Sequence, residues 1–386
     1  MKRLIGCLLA LAALALPAAA LEPVKRPLSI YGYTYYVIDS AGTLWAWGDS
    51  FHGGITADKD PVDWEDAVAE VENAVWTQGG FAVGLAIDRE GVLWGWGSDF
   101  AGALLGQDPS RGAVPLLDRV ISAESDEGGV RALRDDGTLW SWNAKNPPHQ
   151  MMDHVRTFSG CWAVLEDGTV LELREELRPV ASHAAGVSYN WNIQALLIWG
   201  TDGNLYQVRK DAGADRFQPP EPLLEDVVCL SNSTAVTSDG ALWVWGSSLP
   251  LVQRDGALIQ PTREEAERVL EGTPLRCLEG VRYGEMGMDL ALVILEDGSL
   301  LRLPAFYTAD LAQGDSPGPR ETVRNLLDGT SPVTWRKPDK SAPPPELLES
   351  QKGTIWWMLA LCVSPVAAAS LVYVWKGREK KRWPNG

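Results

Sequence analysis

Histidines and acidic residues are the side chains best suited to catalysis or metal binding in this chain of 386 residues. Their spacing matches few known catalytic or metal-binding motifs. The four histidines are His52, His149, His154 and His183. His149 and His154 flank Asp153, but a zinc site needs a third protein ligand at suitable spacing, and the sequence supplies none. No G-x-S-x-G elbow, phosphate-binding loop or paired zinc-ligand spacing is present. We therefore predict no catalytic residue, no metal site and no cofactor.

Carboxylates leave one enzymatic alternative open. Most aspartates in the repeats described next stand beside a turn glycine, where aspartate has a structural role. Repeats nevertheless bring distant residues together at one face of a fold, so a pair of catalytic carboxylates can assemble there. The alternative is a hydrolase or lyase acting on envelope polymers, or a quinone-type oxidoreductase with its site at the axis of the repeats.

A sevenfold internal repeat organises the elements that would carry any such site. In each repeat an apolar run meets a turn glycine, and an aliphatic-aromatic run follows; the glycines are Gly42, Gly91, Gly137, Gly168, Gly203, Gly240 and Gly298. Four repeats place a tryptophan three residues after the glycine and a second one two residues later; the first members are Trp45, Trp94, Trp140 and Trp243. Residues two apart share a strand face, and Asp-Gly between apolar runs indicates a hairpin. Each unit is a β-hairpin with apolar cover on both faces.

Stacked hairpins of this size predict an all-β fold, a seven-bladed β-propeller spanning residues 24–335. The tryptophan pairs are predicted to lie in the core between blades. Ring closure is expected to pair residues 26–38 with residues 319–336 in one blade. Helix is expected only in a membrane span and in the long interval 246–280, where Thr262 and Glu265 form a capping box.

The repeats resemble those of the regulator-of-chromosome-condensation superfamily. Residues 83–106 show the pattern best, with Gly97, Gly102 and Gly106 at the positions of the family's glycine-rich tail. The resemblance implies a propeller and leaves the activity undetermined, because members of that fold have diverse functions. Kelch-type and quinone-cofactor dehydrogenase propellers are competing interpretations, but the W-x-W-G doublet fits them less well.

The two ends of the chain indicate secretion and membrane attachment. Residues 1–20 are typical of a signal peptide, with a basic start, an apolar stretch and a small-residue cleavage site. Residues 354–375 carry no charge and are long enough to span a bilayer, and the basic tail 376–386 predicts a cytoplasmic C-terminus. The proline-rich residues 337–353 are predicted to form an extended spacer. We expect a single-pass cell-membrane protein with its propeller outside.

The net charge bears on the class of binding partner, and the cysteine content bears on disulfide bonding. The formal net charge is −17, which disfavours binding to nucleic acid. Cys161, Cys229 and Cys277 lie outside the predicted membrane segments, and three thiols do not make a disulfide framework.

These observations favour a non-catalytic binding module, monomeric outside the membrane, that engages a protein or another envelope component through loops on one propeller face. Residues 247–280 are predicted to decorate that face. The candidate partner-binding residues are Phe51, His52, Trp64, Phe100, Phe217, Arg263 and Glu265.

Overall fold

The structure is a computed structural model that describes residues 21, 24–49, 55, 62–80, 82–108, 112–174, 177–190, 193–211, 216–314 and 323–348. The predicted signal peptide, membrane span and basic tail lie outside the described residues. Within them, no helix is long and apolar enough to cross a membrane.

Seven antiparallel sheets follow one another along the chain, and each is built mainly from consecutive strands. Blade 1 contains β1 Leu28–Tyr31, β2 Thr34–Ile38, β3 Leu44–Gly48 and β4 Val68–Val71. Blade 2 contains β5 Ala74–Gly80, β6 Val83–Asp88, β7 Leu93–Gly97 and β8 Val114–Leu117. Blade 3 contains β9 Val120–Asp126, β10 Gly129–Arg134, β11 Leu139–Asn143 and β12 Asn146–Met152. Blade 4 contains β13 Val155–Ser159, β14 Trp162–Leu165, β15 Val170–Glu172 and β16 Arg178–Ala181.

Of the last three blades, blade 6 carries the insertion. Blade 5 contains β17 Ala184–Asn190, β18 Ala195–Gly200, β19 Leu205–Arg209 and β20 Glu221–Leu224. Blade 6 contains β21 Val227–Leu230, β22 Thr234–Thr237, β23 Leu242–Val244 and β27 Leu275–Leu278. Between β23 and β27 the chain forms the insertion, which consists of β24 Ser248–Pro250, the hairpin of β25 Val252–Arg254 and β26 Ala257–Ile259, and helix α1 Arg263–Leu270. Blade 7 contains β28 Val281–Met286, β29 Leu290–Leu295, β30 Leu300–Tyr307 and β31 Arg324–Leu327, with helix α2 Thr308–Gln313 after β30. Strand β24 pairs with the far end of β30.

The sheets confirm the seven-bladed propeller, with a correction to its helices. The capping box at Thr262 starts α1 as predicted. Helix α2, however, lies outside the insertion, and 3-10 turns occur at Trp64–Asp66 and Phe100–Gly102. The sequence repeat covers only the second and third strands of each blade, so it carried no signal for these connections between third and fourth strands.

The ring has two unlike faces. First strands of neighbouring blades contact one another, as β1 does β5 and β13 does β17, so they stand nearest the axis. The turn face carries the seven glycine turns and the connections between blades. The loop face carries the connections between first and second strands and between third and fourth strands.

The glycine turns also join each blade to the next. All seven turn glycines have positive φ, from 77° to 93°, a region that glycine enters without a Cβ clash. The carbonyl of each accepts a hydrogen bond of 2.8 or 2.9 Å from a backbone N–H at the start of the following segment; the donors are Ala74, Val120, Val155, Ala184, Val227, Val281 and Thr330. The turn therefore sets both the hairpin and the position of the neighbouring blade.

The tryptophan pairs divide into two roles, which corrects the prediction that both members form the inter-blade core. The second members, Trp47, Trp96, Trp142 and Trp245, are at most 2% exposed. The first members are half-buried, and their indole N–H groups bond the turn: Trp45 to Asp39 and Trp94 to Asp88, at 2.9 and 2.8 Å, and Trp140 and Trp243 to threonine hydroxyls at 2.8 and 3.2 Å. The first ring stabilises the turn, and the second fills the core.

Among the described residues, ring closure does not use a shared blade, contrary to the prediction for residues 26–38 and 319–336. Strand β1 pairs within blade 1 and β31 within blade 7. The ends meet beyond the sheets, where the Ser331 N–H donates to the Ile38 carbonyl at 2.9 Å and the Thr334 N–H donates to the Lys25 carbonyl at 3.1 Å. Hydrogen bonds between the two terminal segments therefore contribute to closure, beside the contact of β1 with β28.

Residues 334–348, the C-terminal strap, lie across the turn face. Backbone N–H groups of Arg336, Asp339 and Leu348 donate to carbonyls in blades 6, 5 and 4, at 3.1, 3.2 and 2.9 Å. The Lys340 ammonium pairs with Asp226 at 2.7 Å, and the Arg336 guanidinium lies 5.1 Å from the Trp199 ring centroid. The described part of the predicted spacer is extended but does not stand away from the propeller.

Candidate functional site

An axial cavity of about 680 Å³ opens at the centre of the ring. Residues in the first strand of each blade, or just after it, contribute to its wall, and the cavity extends outward between blades 4 and 5, beside Trp162 and Tyr189. A cavity of this size suits a small molecule or a side chain with its flanking backbone.

A ring of polar residues, one from each blade, surrounds the axis. Each belongs to the first-strand segment and lies opposite a residue of the second-strand segment that precedes the blade's turn glycine by six positions. Ser29 lies opposite Tyr36 in blade 1, and Glu285 lies opposite Leu292 in blade 7. The members of this axial ring are Ser29, Gln78, Glu124, Ser159, Ser188, Ser231 and Glu285. Because buried polar groups need hydrogen-bond partners, the ring is expected to bond across blade boundaries.

Hydrogen bonds between blades confirm this expectation for several members of the axial ring. The Gly79 N–H donates to the Ser29 hydroxyl at 3.0 Å, across blades 1 and 2. The Ser188 hydroxyl contacts Asn232 at 3.2 Å, across blades 5 and 6. Such contacts fix the spacing of the first strands, so the axial ring has a structural role in addition to lining the cavity.

The two acids of the axial ring differ in their partners. Glu285 forms an ion pair with Arg26, and its carboxylate also accepts the Ile30 N–H at 2.8 Å. Glu124 accepts the Gly160 N–H at 2.5 Å but makes no ion pair with any described residue. Burial raises the pKa of Glu124, although the Gly160 N–H and nearby arginines act in the opposite direction.

An aromatic wall closes the branch between blades 4 and 5. The Trp162 and Tyr189 rings are nearly parallel, with centroids 6.5 Å apart, and Phe217 meets Trp162 edge-on at 5.9 Å. Beside them Glu172 is 4% exposed and pairs through Oε1 with Arg174 at 2.5 Å and Lys210 at 3.6 Å. Its Oε2 lies 3.9 Å from the Arg178 guanidinium and accepts no hydrogen bond from the described residues.

The loop face, onto which the cavity opens, has several exposed apolar side chains. Tyr31, Tyr33, Met288, Tyr307 and Leu270 are each between 42% and 51% exposed. Met288 and Tyr307 are linked through Ser248, whose hydroxyl bonds the Met288 carbonyl at 2.9 Å and whose backbone pairs with Tyr307. Leu270 and Tyr307 also border a second cavity, of about 220 Å³, beside α1 and α2.

The predicted partner-binding residues all belong to connections between third and fourth strands. Phe51 and His52 and the side chain of Phe100 lie outside the described residues. Trp64 packs edge-on against Trp47, with ring centroids 4.6 Å apart. Phe217 is 8% exposed and lines the cavity from within.

The two charged candidates serve the insertion. Glu265 completes the capping box with Thr262 and pairs with Arg254. Arg263 is exposed and forms an ion pair of 2.8 Å with Glu267 one helical turn later. Neither lines the axial cavity.

Sequence reasoning missed the axial ring, and one signal could have found it. Some first strands are apolar at their start and acidic four residues later, as in Val120 and Glu124 or Val281 and Glu285. This pattern can be recognised only when the first residue of each first strand is known. The connections before these strands differ in length, so the sequence alone does not give those positions. Among the described residues, no three His, Cys, Asp or Glu side chains stand close enough together to hold a metal ion.

Comparisons with known proteins agree in kind with the resemblance found in the repeats. No protein-family model matches the chain, and no curated protein matches it. Solved structures similar to it are RCC1 and other β-propellers. Yeast RCC1 (Prp20) bound to Kap60 is 12% identical, with 82% of this chain and 86% of that chain covered and a TM-score of 0.48.

Two further structures are similar at the same level. Prp20p from Saccharomyces cerevisiae is 14% identical, with coverage of 83% and 87% and a TM-score of 0.48. Human WBSCR16 is 13% identical, with coverage of 86% and 88% and a TM-score of 0.40. At this similarity the functions of those proteins do not carry over, and the fold assignment rests on the seven sheets themselves.

Proposed function

We propose that the protein is a non-catalytic binding module that holds a protein partner on the loop face of its propeller. One observation carries the proposal: the two faces differ in how much surface they leave open. The C-terminal strap covers the turn face of blades 4 to 6, whereas the loop face has the cavity mouth, the longest connections and the exposed apolar side chains.

The chemistry of the loop face suits a protein partner. Tyrosine and methionine are enriched in the centres of protein interfaces, and clustered exposed apolar side chains mark interaction sites. Tyr31, Tyr33, Met288 and Tyr307 provide such side chains on this face. The insertion carries Leu270 and the second cavity on the same face.

Attachment to a membrane belongs to this proposal. The strap ends with Leu348 bonded to Val180 in blade 4, and the predicted span begins in sequence at residue 354. From Leu348 to residue 354 the chain can reach at most about 22 Å. A tether this short favours a propeller whose turn face is directed at the bilayer and whose loop face is directed away, and the basic tail favours placing it outside the cell.

The chief rival is an enzyme with its site at the axis. A cluster of carboxylates with a perturbed histidine in the cavity would favour that rival. The cavity does hold Glu124, Glu172 and Glu285, but no histidine is among the described residues that line it. Without an acid-base pair in contact there, the binding function accounts better for the cavity.

Capture of a partner by the full chain in detergent tests the proposal. The full chain is incubated as bait with solubilised envelope proteins and with secreted proteins. The amount of partner captured by the parent protein is compared with the amounts captured by the Tyr307→Ser and Leu270→Ser variants. We expect each of these to reduce capture about tenfold, because each removes an exposed apolar side chain from the loop face. Met151→Ser is the matched control, since Met151 is similarly exposed but lies on the outer strand of blade 3.

Three outcomes would contradict the proposal. Equal capture by all variants would remove the loop face from the site. Loss of capture by Met151→Ser alone would transfer the site to the blade edge. Turnover of an envelope polymer without stable capture would favour the enzyme.

A further inference from the structure

The axial cavity has an uneven charge distribution that points to the chemistry of its occupant. Arg26 is paired with Glu285, and Arg131 is paired with Asp126 at 3.1 Å. Lys210, Arg174 and Arg178 are all within 4 Å of the Glu172 carboxylate. Glu124 is the cavity carboxylate that has no ion pair with a cation among the described residues, and it stands at the axis.

Two side-chain oxygen atoms in the wall of the cavity lack a hydrogen bond from the described residues. Glu172 Oε2 and the Ser125 hydroxyl are both buried without a hydrogen-bond partner among the described residues, although the Arg178 guanidinium lies 3.9 Å from Glu172 Oε2. Both residues line the cavity, on either side of the Gly160 and Trp162 segment. Because Glu172 already has three cations nearby, the carboxylate that a positively charged ligand with several hydrogen-bond donors would complement is Glu124.

The aromatic wall distinguishes among cations. Trp162 and Tyr189 stand nearly parallel beside the acidic wall. Tyr31 lies at the mouth, where burial and the nearby carboxylates of Glu127 and Asp126 raise its pKa. Aromatic faces attract cations, and a planar guanidinium both stacks on them and offers five donors. A lysine ammonium would offer three donors and no planar face.

We propose that the axial cavity takes an arginine side chain of the protein partner, with its guanidinium against Glu124 and its stem along the Trp162 and Tyr189 wall. This inference rests on the proposed function and adds the chemistry of the ligand. The acidic net charge of −17 would draw a basic segment toward the protein, and the carboxylate at the axis would select it.

Cys161 offers a direct measure of occupancy. It is exposed at the cavity, whereas Cys229 and Cys277 are buried. Burial raises the pKa of Cys229 to about 12 and raises the pKa of Cys277 as well, so neither thiol forms much of the reactive thiolate. In the full chain carrying Cys7→Ala and Cys362→Ala, alkylation by iodoacetamide therefore reports on Cys161.

The probes are acetyl-Gly-Arg-Gly-amide and its citrulline counterpart, which has nearly the same shape without the charge. We expect the arginine peptide to slow alkylation of Cys161 saturably at millimolar concentration and the citrulline peptide to have no effect. Glu124→Gln should weaken the protection at least tenfold. Glu90→Gln is the matched control and should change the protection less than twofold, because Glu90 is exposed on the turn face, away from the cavity.

Melting temperatures of the two glutamine variants check that both remain folded. Equal protection by the citrulline peptide, unchanged protection in Glu124→Gln, or no protection by the arginine peptide would each overturn the inference. Stronger protection by acetyl-Gly-Glu-Gly-amide would overturn it too, because the cavity would then select anions through Arg174 and Lys210. The proposed function would stand in all these cases if Tyr307→Ser still reduced partner capture.

Discussion

The turn face and the loop face of the propeller are built on opposite principles. On the turn face, seven glycine turns repeat one conformation and one hydrogen bond to the next segment, and the strap covers much of the result. On the loop face the connections differ in length from blade to blade, and they surround an open cavity. The repeat therefore maintains the ring, while the departures from the repeat supply the surface that a partner can bind.

The largest expected effect concerns the two members of a tryptophan pair. Trp142→Ala should destabilise the protein by about 3 to 5 kcal/mol, because a fully buried ring and its hydrogen bond to the Ala103 carbonyl are lost. Trp140→Ala should cost about 1 to 2 kcal/mol, since that ring is half-buried at the turn. Urea denaturation measures both. Equal losses would show that the two positions do not differ in this way.

The next prediction concerns the pH dependence of stability caused by Glu70, a buried carboxyl of blade 1 away from the glycine turns. Burial raises its pKa from 4.5 to about 8. A carboxyl whose pKa is higher in the folded state stabilises the fold fully below pH 4.5, and this contribution is lost as the pH rises through about 8. Glu70→Gln should therefore be more stable than the parent at pH 9, by about 2 kcal/mol, and similar to it at pH 4. Thermal unfolding across this range, with the exposed Glu72→Gln as control, would reject this assignment if both variants behaved alike.

Substitution of Gly203 tests whether the C-terminal strap packs against the turn face. A Cβ there would lie 2.0 Å from Pro338 Cβ, whereas at Gly91 the nearest atom is 3.5 Å away. Both glycines have positive φ, so alanine strains the backbone by about 1 to 2 kcal/mol at either site. We expect Gly203→Ala to cost about 1 kcal/mol more than Gly91→Ala in urea denaturation and to make the strap sensitive to protease. Adding Pro338→Gly should remove that excess; an excess that persists would mean that the strap does not contact this turn.

The smallest effect is expected at the helix of the insertion. Thr262→Ala removes the hydroxyl that accepts the Glu265 N–H and should cost about 1 kcal/mol. The loss should be local, so hydrogen exchange should increase in α1 with little change in the blades. Increased exchange throughout the ring would indicate that the insertion supports the propeller itself.

The parts of the molecule that repeat were predictable from the sequence. Seven glycines located seven hairpins, because positive φ and flanking apolar runs leave a local signature. The capping box located α1 for the same reason. Ring closure and the seating of the strap were not predictable, since they depend on contacts such as Lys25 with Thr334, which are 309 residues apart.

The site was less predictable than the fold. Aromatic residues in loops, such as Trp64 and Phe217, were reasonable candidates for partner contacts, but both pack against other aromatic rings of the propeller. A residue's position in a connection gives its face, and its exposure depends on the packing of neighbouring blades. Tyr31, Tyr307 and Glu124 are assigned only when the blades are placed around the axis.

Photo-crosslinking in cells tests the central claim most directly. A benzophenone amino acid replaces either Tyr307 on the loop face or Glu90 on the turn face of the full chain, and adducts are detected after irradiation. We predict a discrete protein adduct from position 307 and none from position 90. An adduct from position 90 alone would contradict the claim, because the partner would then bind the face that carries the repeat turns.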